Sequence, residues 1–155
     1  MSMRLCVISV ALMSFLTLSV NAVMPTVFII MSVKTNKNIV KKCVASVLRH
    51  QSGSMRQRLI FVDDGSPKET VAFEKHLCEN QSMIFTCLKN RVKGYTHAIQ
   101  YGIETAQALS TDTDDAIVLL NSDVIVTHGW LFTLYQALMH DNQTMLVGPM
   151  SNAGM

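Results

Sequence analysis

The sequence predicts an α/β fold, a mostly parallel sheet with helices on both faces, and three observations predict it. Uncharged runs rich in β-branched and aliphatic residues recur at 26–33, 59–62, 83–88 and 116–120, each too short for a helix. Stretches with apolar residues at helical spacing separate them, and a strand, crossover helix and strand pack into one sheet as a parallel pair. Carboxylate and amide side chains gather directly after the strand-like runs, at the end where open parallel sheets bind ligands.

Residues 26–33 (TVFIIMSV) form an unbroken apolar run, the pattern of a strand buried on both faces. Asn36 is placed to cap the helix that follows, in which Ile39, Val40, Cys43, Val44, Val47 and Leu48 recur at intervals of three and four. Gln51, Ser52, Gly53 and Ser54 end it. Residues 59–62 (LIFV) make a second buried strand, stopped by Asp63-Asp64-Gly65-Ser66-Pro67. The next helix covers 67–78, with Pro67 in the first turn, where its missing N–H does no harm. A third strand covers 83–88, and a loop near Gly94 opens a helix that runs to Leu109. Residues 110–115 read as a polar loop in which Asp112, Asp114 and Asp115 are solvated. Residues 116–120 (AIVLL) form a fourth buried strand with Asn121-Ser122-Asp123 at its carboxyl end. A helix covers 130–139, and 145–147 begins a last strand. No linker interrupts the alternation, so residues 26–155 make one domain.

Composition narrows the function classes. With 155 residues, 49% of them hydrophobic, the chain holds one folded domain rather than a disordered segment. A net charge of +2 and 6% aromatics provide neither a basic stripe nor a base-stacking surface, so no nucleic-acid partner is expected. The five histidines show no ligand spacing, and the four cysteines include no CxxC pair.

The amino terminus is of a different kind. Arg4 precedes sixteen uncharged positions, residues 5–20, followed by Asn21-Ala22. Residues 1–22 read as a secretory signal peptide, or as an uncleaved membrane anchor through residues 5–20. Translation from Met24 would instead leave a cytoplasmic product. The secretory reading is favoured, and Asn80-Gln81-Ser82 and Asn142-Gln143-Thr144 are glycosylation triplets that suit it. Removal of the leader leaves Cys43, Cys78 and Cys87, an odd number.

The strand-end residues carry the candidate chemistry. Carboxylates there coordinate hard cations or accept hydrogen bonds from a base and ribose. The plainer reading of Asp63-Asp64-Gly65-Ser66-Pro67 is a turn that starts a helix.

Val62-Asp63-Asp64-Gly65-Ser66, the loop from Asn90 to Gly94 with Gly102 behind it, Leu119-Leu120-Asn121-Ser122-Asp123 and Gly129-Trp130-Leu131 together resemble glycosyltransferase family 2. The resemblance covers nearly all of the chain beyond the leader. It implies the GT-A fold, a Rossmann-like sheet, and transfer of a sugar from a nucleotide-diphosphate sugar of UDP or dTDP type to an acceptor hydroxyl. It also implies Mn²⁺ or Mg²⁺ and inversion at the sugar carbon. Carried over, Ser32 and Val33 correspond to the base-contacting segment, and Asp64 to the carboxylate that reads the base. Gly94 and Tyr95 correspond to the loop that approaches the nucleotide. Asn121 corresponds to the ribose-holding member of the DxD motif, and Asp123 to its metal ligand.

Two departures stand out. Lys34 occupies the place of an aromatic residue, where a lysine could face phosphate, and Asn121 is neutral where many relatives have Asp. The family's catalytic base lies in an acceptor-binding half beyond the last residue, so the sequence is expected to represent the donor-binding portion and to contain no catalytic residue. The competing class is a non-catalytic relative that binds nucleotide or serves as a partner module.

Overall fold

The computed structural model describes residues 24–80, 84–89, 92–141 and 143–149. Among the described residues, four strands alternate with four helices: β1 (Thr26–Val33), α1 (Lys37–Arg49), β2 (Arg56–Asp63), α2 (Lys68–Asn80), β3 (Ile84–Lys89), α3 (Tyr95–Leu109), β4 (Ala116–Leu119) and α4 (Trp130–Leu138). The strands form one sheet in the order β3-β2-β1-β4, parallel at every pairing, so the α/β expectation holds. The leader, residues 1–22, lies outside the described residues, as do Asn90, Asn142 and the last residues of the tail.

Period-two alternation sorts β1 and β2 into two cores. Val27, Ile29, Met31 and Val33 of β1, with Leu59 and Phe61 of β2, pack beneath α1, α2 and α4. Phe28, Ile30, Ile60 and Val62 face the other way, against α3. Buried on both faces, β1 and most of β2 match the unbroken apolar runs that predicted them.

Three expectations about the strands require correction. Strand β2 begins at Arg56, three residues before its apolar run, because Arg56, Gln57 and Arg58 pair with Thr26, Val27 and Phe28. The ladder is made by backbone groups and accepts polar side chains. Strand β4 is not buried: it lies at the edge of the sheet, with Ile117 38% and Leu119 51% exposed. Residues 145–147 form no strand, and Met145 and Leu146 project into solvent beside that edge.

Loop chemistry fixes the element ends. The Asn36 side chain accepts the Ile39 N–H at 3.2 Å, the cap read from the sequence. Pro67 lies just before α2, its carbonyl accepting the Thr70 and Val71 N–H groups, so it caps the helix from outside rather than sitting in the first turn. Asp115 is a latch rather than a solvated loop residue. One of its oxygens accepts the Thr26 N–H at 2.7 Å, and the other accepts Ser110 Oγ and the Thr111 and Asp112 N–H groups. Partial desolvation opposes its charge, but these donors prevail and hold the carboxyl below the usual range. The latch joins the loop before β4 to the first residue of β1. Cys78 is disulfide-bonded, whereas Cys43 is a buried free thiol.

Gly102 and Glu74 generate two predictions. A Cβ at Gly102 would overlap Cγ2 of Ile30, so this glycine sets how closely α3 lies on the sheet. Gly102→Ala should destabilise the protein by about 1–2 kcal/mol, as overpacking outweighs the gain in helix propensity. Thermal unfolding of the two proteins measures it. Glu74 of α2 is buried, and desolvation, with Asp63 adding repulsion, pushes its carboxyl up to about 8. The folded state therefore favours the protonated acid. Its contribution is fully present below the unfolded value near 4.5 and is lost as pH rises through about 8. Glu74→Gln should flatten this decline and raise stability at pH 9 by on the order of a few kcal/mol, with little change at pH 4. Denaturant titrations at the two pH values measure the difference.

Candidate functional site

The carboxyl ends of β1, β2 and β4 and the start of α3 enclose an open cleft of about 650 Å³, lined by Ser32, Lys34, Thr35, Ile39, Asp64, Gly94, Tyr95, Asn121, Ser122 and Asp123. Seven of the residues singled out from sequence meet here: Ser32, Lys34, Asp64, Gly94, Tyr95, Asn121 and Asp123. Val33 does not. Its side chain is fully buried in the core, and its carbonyl accepts the Asp64 N–H at 2.8 Å and Ser66 Oγ at 3.0 Å. Strand alternation turns Ser32 to the cleft and Val33 away from it, so Val33 serves the site through its backbone.

The paired aspartates after β2 divide their roles. Asp63 Oδ1 accepts the N–H groups of Gly65 and Ser66, at 3.2 and 2.8 Å, which is the turn chemistry the plainer sequence reading offered. Asp64 turns into the cleft and is nevertheless only 3% exposed. Its Oδ1 accepts the Gly94 N–H at 2.8 Å, and its Oδ2 lies 3.7 Å from Lys34 Nζ. Gly94 has φ +124°, a conformation that L side chains rarely adopt, and it immediately precedes α3. The Asp64 carboxylate therefore sits where a fifteen-residue helix presents the positive end of its dipole. Lys34 is 65% exposed, so its ion pair contributes little to stability and leaves the ammonium accessible from the cleft.

Across the cleft, Asn121-Ser122-Asp123 forms an exposed turn closed by the Val124 N–H to the Asn121 carbonyl, 3.3 Å. Tyr95 Oη donates to Asn121 Oδ1 at 3.4 Å, linking the start of α3 to this turn. The Asp123 carboxylate is exposed and has no hydrogen-bond partner among the described residues. The Cys43 thiol lies beneath the turn. Burial pushes it up to about 11, the Val124 N–H working against the shift and the Asp123 carboxylate adding to it. The thiol is thus protonated at neutral pH and donates to the Asn121 carbonyl at 3.6 Å.

Among the described residues, no group of three His, Cys, Asp or Glu side chains could hold a metal by itself. The accessible donors on this side are oxygens: the Asp123 carboxylate, the Asn121 amide and the Ser122 hydroxyl. Such a set suits a hard cation that completes its shell with phosphate oxygens and waters. Sequence reasoning missed the support beneath the turn from Cys43 and Ser46. The available signal was a serine, Ser46, within the buried stripe of α1.

No curated protein matches the chain at a significant level of similarity. The family model of glycosyl transferase family 2 matches residues 28–154, a span that takes in the whole cleft, from Ser32 to Asp123. The parallel sheet with helices on both faces agrees with the Rossmann-like core of the GT-A fold. On the extent of that match, the chain belongs to glycosyltransferase family 2.

Proposed function

We propose that the cleft binds a UDP- or dTDP-sugar together with Mn²⁺ or Mg²⁺, for transfer of the sugar to an acceptor hydroxyl with inversion. Family membership implies a nucleotide-sugar donor in general. The observation that carries the finer reading is the contrast between the two cleft carboxylates. Asp64 is buried, with an oxygen committed to the Gly94 N–H and another beside Lys34, which suits reading a base through one fixed hydrogen bond. Asp123 is exposed with its lone pairs available, which suits metal ligation.

In the proposed transfer, the acceptor oxygen bonds to the anomeric carbon as that carbon's bond to the diphosphate oxygen breaks. The hydroxyl proton passes to a base, and the nucleoside diphosphate leaves with the electron pair. Asp123 would hold a divalent cation, which would supply charge stabilisation for the leaving diphosphate. Asp64 holds the base, and Asn121, fixed by Tyr95, meets the ribose. Both carboxylates lining the cleft serve the donor, so acceptor deprotonation falls to a group outside this set. The same observation favours a second reading, nucleotide binding without transfer.

Residues 1–22 are proposed as a signal peptide or anchor. The Cys78 disulfide supports this, since disulfides persist in oxidising compartments. Among the described residues, no helix is long and apolar enough to cross a membrane. Amino-terminal sequencing of the protein from secreting cells should find a start near Val23; an intact Met1 would favour the anchor, and Met24 at the start of a cytoplasmic product would overturn the secretory reading.

Calorimetric titration of UDP and uridine, in Mn²⁺ and in chelator, tests the binding roles. Asp123→Ala should abolish the gain in UDP affinity due to Mn²⁺ and leave uridine binding nearly unchanged. Asp64→Asn should weaken both ligands with or without metal, by roughly 10- to 100-fold, the worth of a charge-assisted hydrogen bond of ~1.5–3 kcal/mol. Absence of both UDP and dTDP binding by the unaltered protein would sink the reading. Sugar transfer over many turnovers by the unaltered chain would favour the transferase over the nucleotide binder and place the base within these residues, whereas the expected result for the chain as it stands is donor binding without transfer.

A further inference from the structure

We propose that Cys43 and Ser46, one turn apart on α1, are positioning residues that clamp the turn of residues 121–126 and thereby aim Asp123 into the cleft. Their role rests on the proposed function, in which Asp123 acts on a metal-bound diphosphate. Neither side chain lines the cleft.

The turn needs holding. Asn121, Asp123, Val124 and Ile125 are all exposed, so hydrophobic packing does not fix this stretch until Val126, which is 7% exposed. Two hydrogen bonds from α1 bracket it. At the front, the Cys43 thiol donates to the Asn121 carbonyl at 3.6 Å. At the back, the Val126 N–H donates to Ser46 Oγ at 3.1 Å, a buried bond across eighty positions of sequence. The Ser46 hydroxyl proton is itself committed to the Cys43 carbonyl at 2.7 Å, which leaves an oxygen lone pair free to accept from Val126. Rotation of the hydroxyl would break one buried bond, so the serine is locked in the accepting orientation. Asp123 lies between the two anchors. Partners of this kind, which orient a ligand without touching the metal, commonly alter metal affinity by about 10- to 100-fold when removed.

A merely structural serine would cost stability and nothing else. The test therefore compares Ser46→Ala with Ser46→Thr, which keeps the hydroxyl, and with Val44→Ala, which removes core volume from the same helix and no side-chain hydrogen bond to the turn. UDP is titrated in Mn²⁺ and in chelator, and uridine alongside. Ser46→Ala should lose about tenfold of the Mn²⁺-dependent gain in UDP affinity, with binding in chelator and uridine binding changed less than about twofold. Ser46→Thr should restore most of the gain, and Val44→Ala should keep it despite a comparable or larger fall in Tm. Amide hydrogen exchange at Val126, measured without nucleotide, should accelerate in Ser46→Ala and not in Ser46→Thr. Full Mn²⁺-dependent gain in Ser46→Ala, or an equal loss in Val44→Ala, overturns the proposal. The proposed function fails on a different measurement, the Mn²⁺ dependence of the unaltered protein. Faster exchange at Val126 in Ser46→Ala would still support the clamp in that event, and unchanged exchange would overturn it.

Discussion

Strand β1 is the middle of the three strands whose ends form the cleft, and its carboxyl end supplies backbone acceptors to the segments that bear the site. The Ile30 carbonyl accepts the Leu120 N–H at 3.0 Å, which brings the start of the Asn121 turn alongside. The Val33 carbonyl accepts from Asp64 N–H and Ser66 Oγ, and the Thr35 carbonyl from Thr70 Oγ1 of α2 at 3.0 Å. A buried carbonyl left without a donor is costly, so these loops are held in place by the same requirement that holds the sheet. The strand can do this only because it is covered on both faces and paired on both edges. Gly102 lets α3 close over one face, and the start of that helix then reaches Asp64 through Gly94.

Legibility from sequence followed what each residue needs from distant parts of the chain. The core strands were readable because β1 and the apolar half of β2 are buried on both faces, which demands a local run of apolar residues. The Asn36 cap was readable because its bond closes within three residues. The polar half of β2 was not, since Arg56, Gln57 and Arg58 enter the ladder through backbone groups indifferent to side chain. The exposure of β4 was equally hidden, because AIVLL reads the same at an edge as in the middle of a sheet. Within the site, Asp64, Asn121 and Asp123 stood out as polar residues directly after apolar strands. The roles of Asp63 and Asp64 could not be separated from adjacent identical letters; strand twist and the Gly65 turn decide which carboxylate faces the cleft. The resemblance assigns Val33 to the base-contacting segment, yet the alternation that turns Ser32 to the cleft buries its side chain. Ser46, Cys43 and Asp115 act across 78 to 89 positions of sequence, and no local pattern announces such bonds.

Charge gives the cleft its remaining constraint. Its lining presents two carboxylates, Asp64 and Asp123, and one ammonium, Lys34. Among the described lining residues that balance is net negative, and a diphosphate brought against them would meet repulsion that Lys34, already beside Asp64, does not cancel. In the proposed function, Asp123 would hold a divalent cation, which would reverse the sign locally and make that carboxylate a ligand rather than an obstacle. The same reasoning separates the two carboxylates in the proposed function. Asp64 gains from being buried and already paired, because a base presents a neutral N–H that one fixed acceptor can select. Asp123 must stay solvated and unpaired, because a cation needs oxygen lone pairs not already engaged. Exchanging the two environments would leave a buried carboxylate unable to reach a metal and an exposed one unable to discriminate between bases. Burial at the end of β2 and exposure after β4 therefore act together as the physical basis of the proposed donor site.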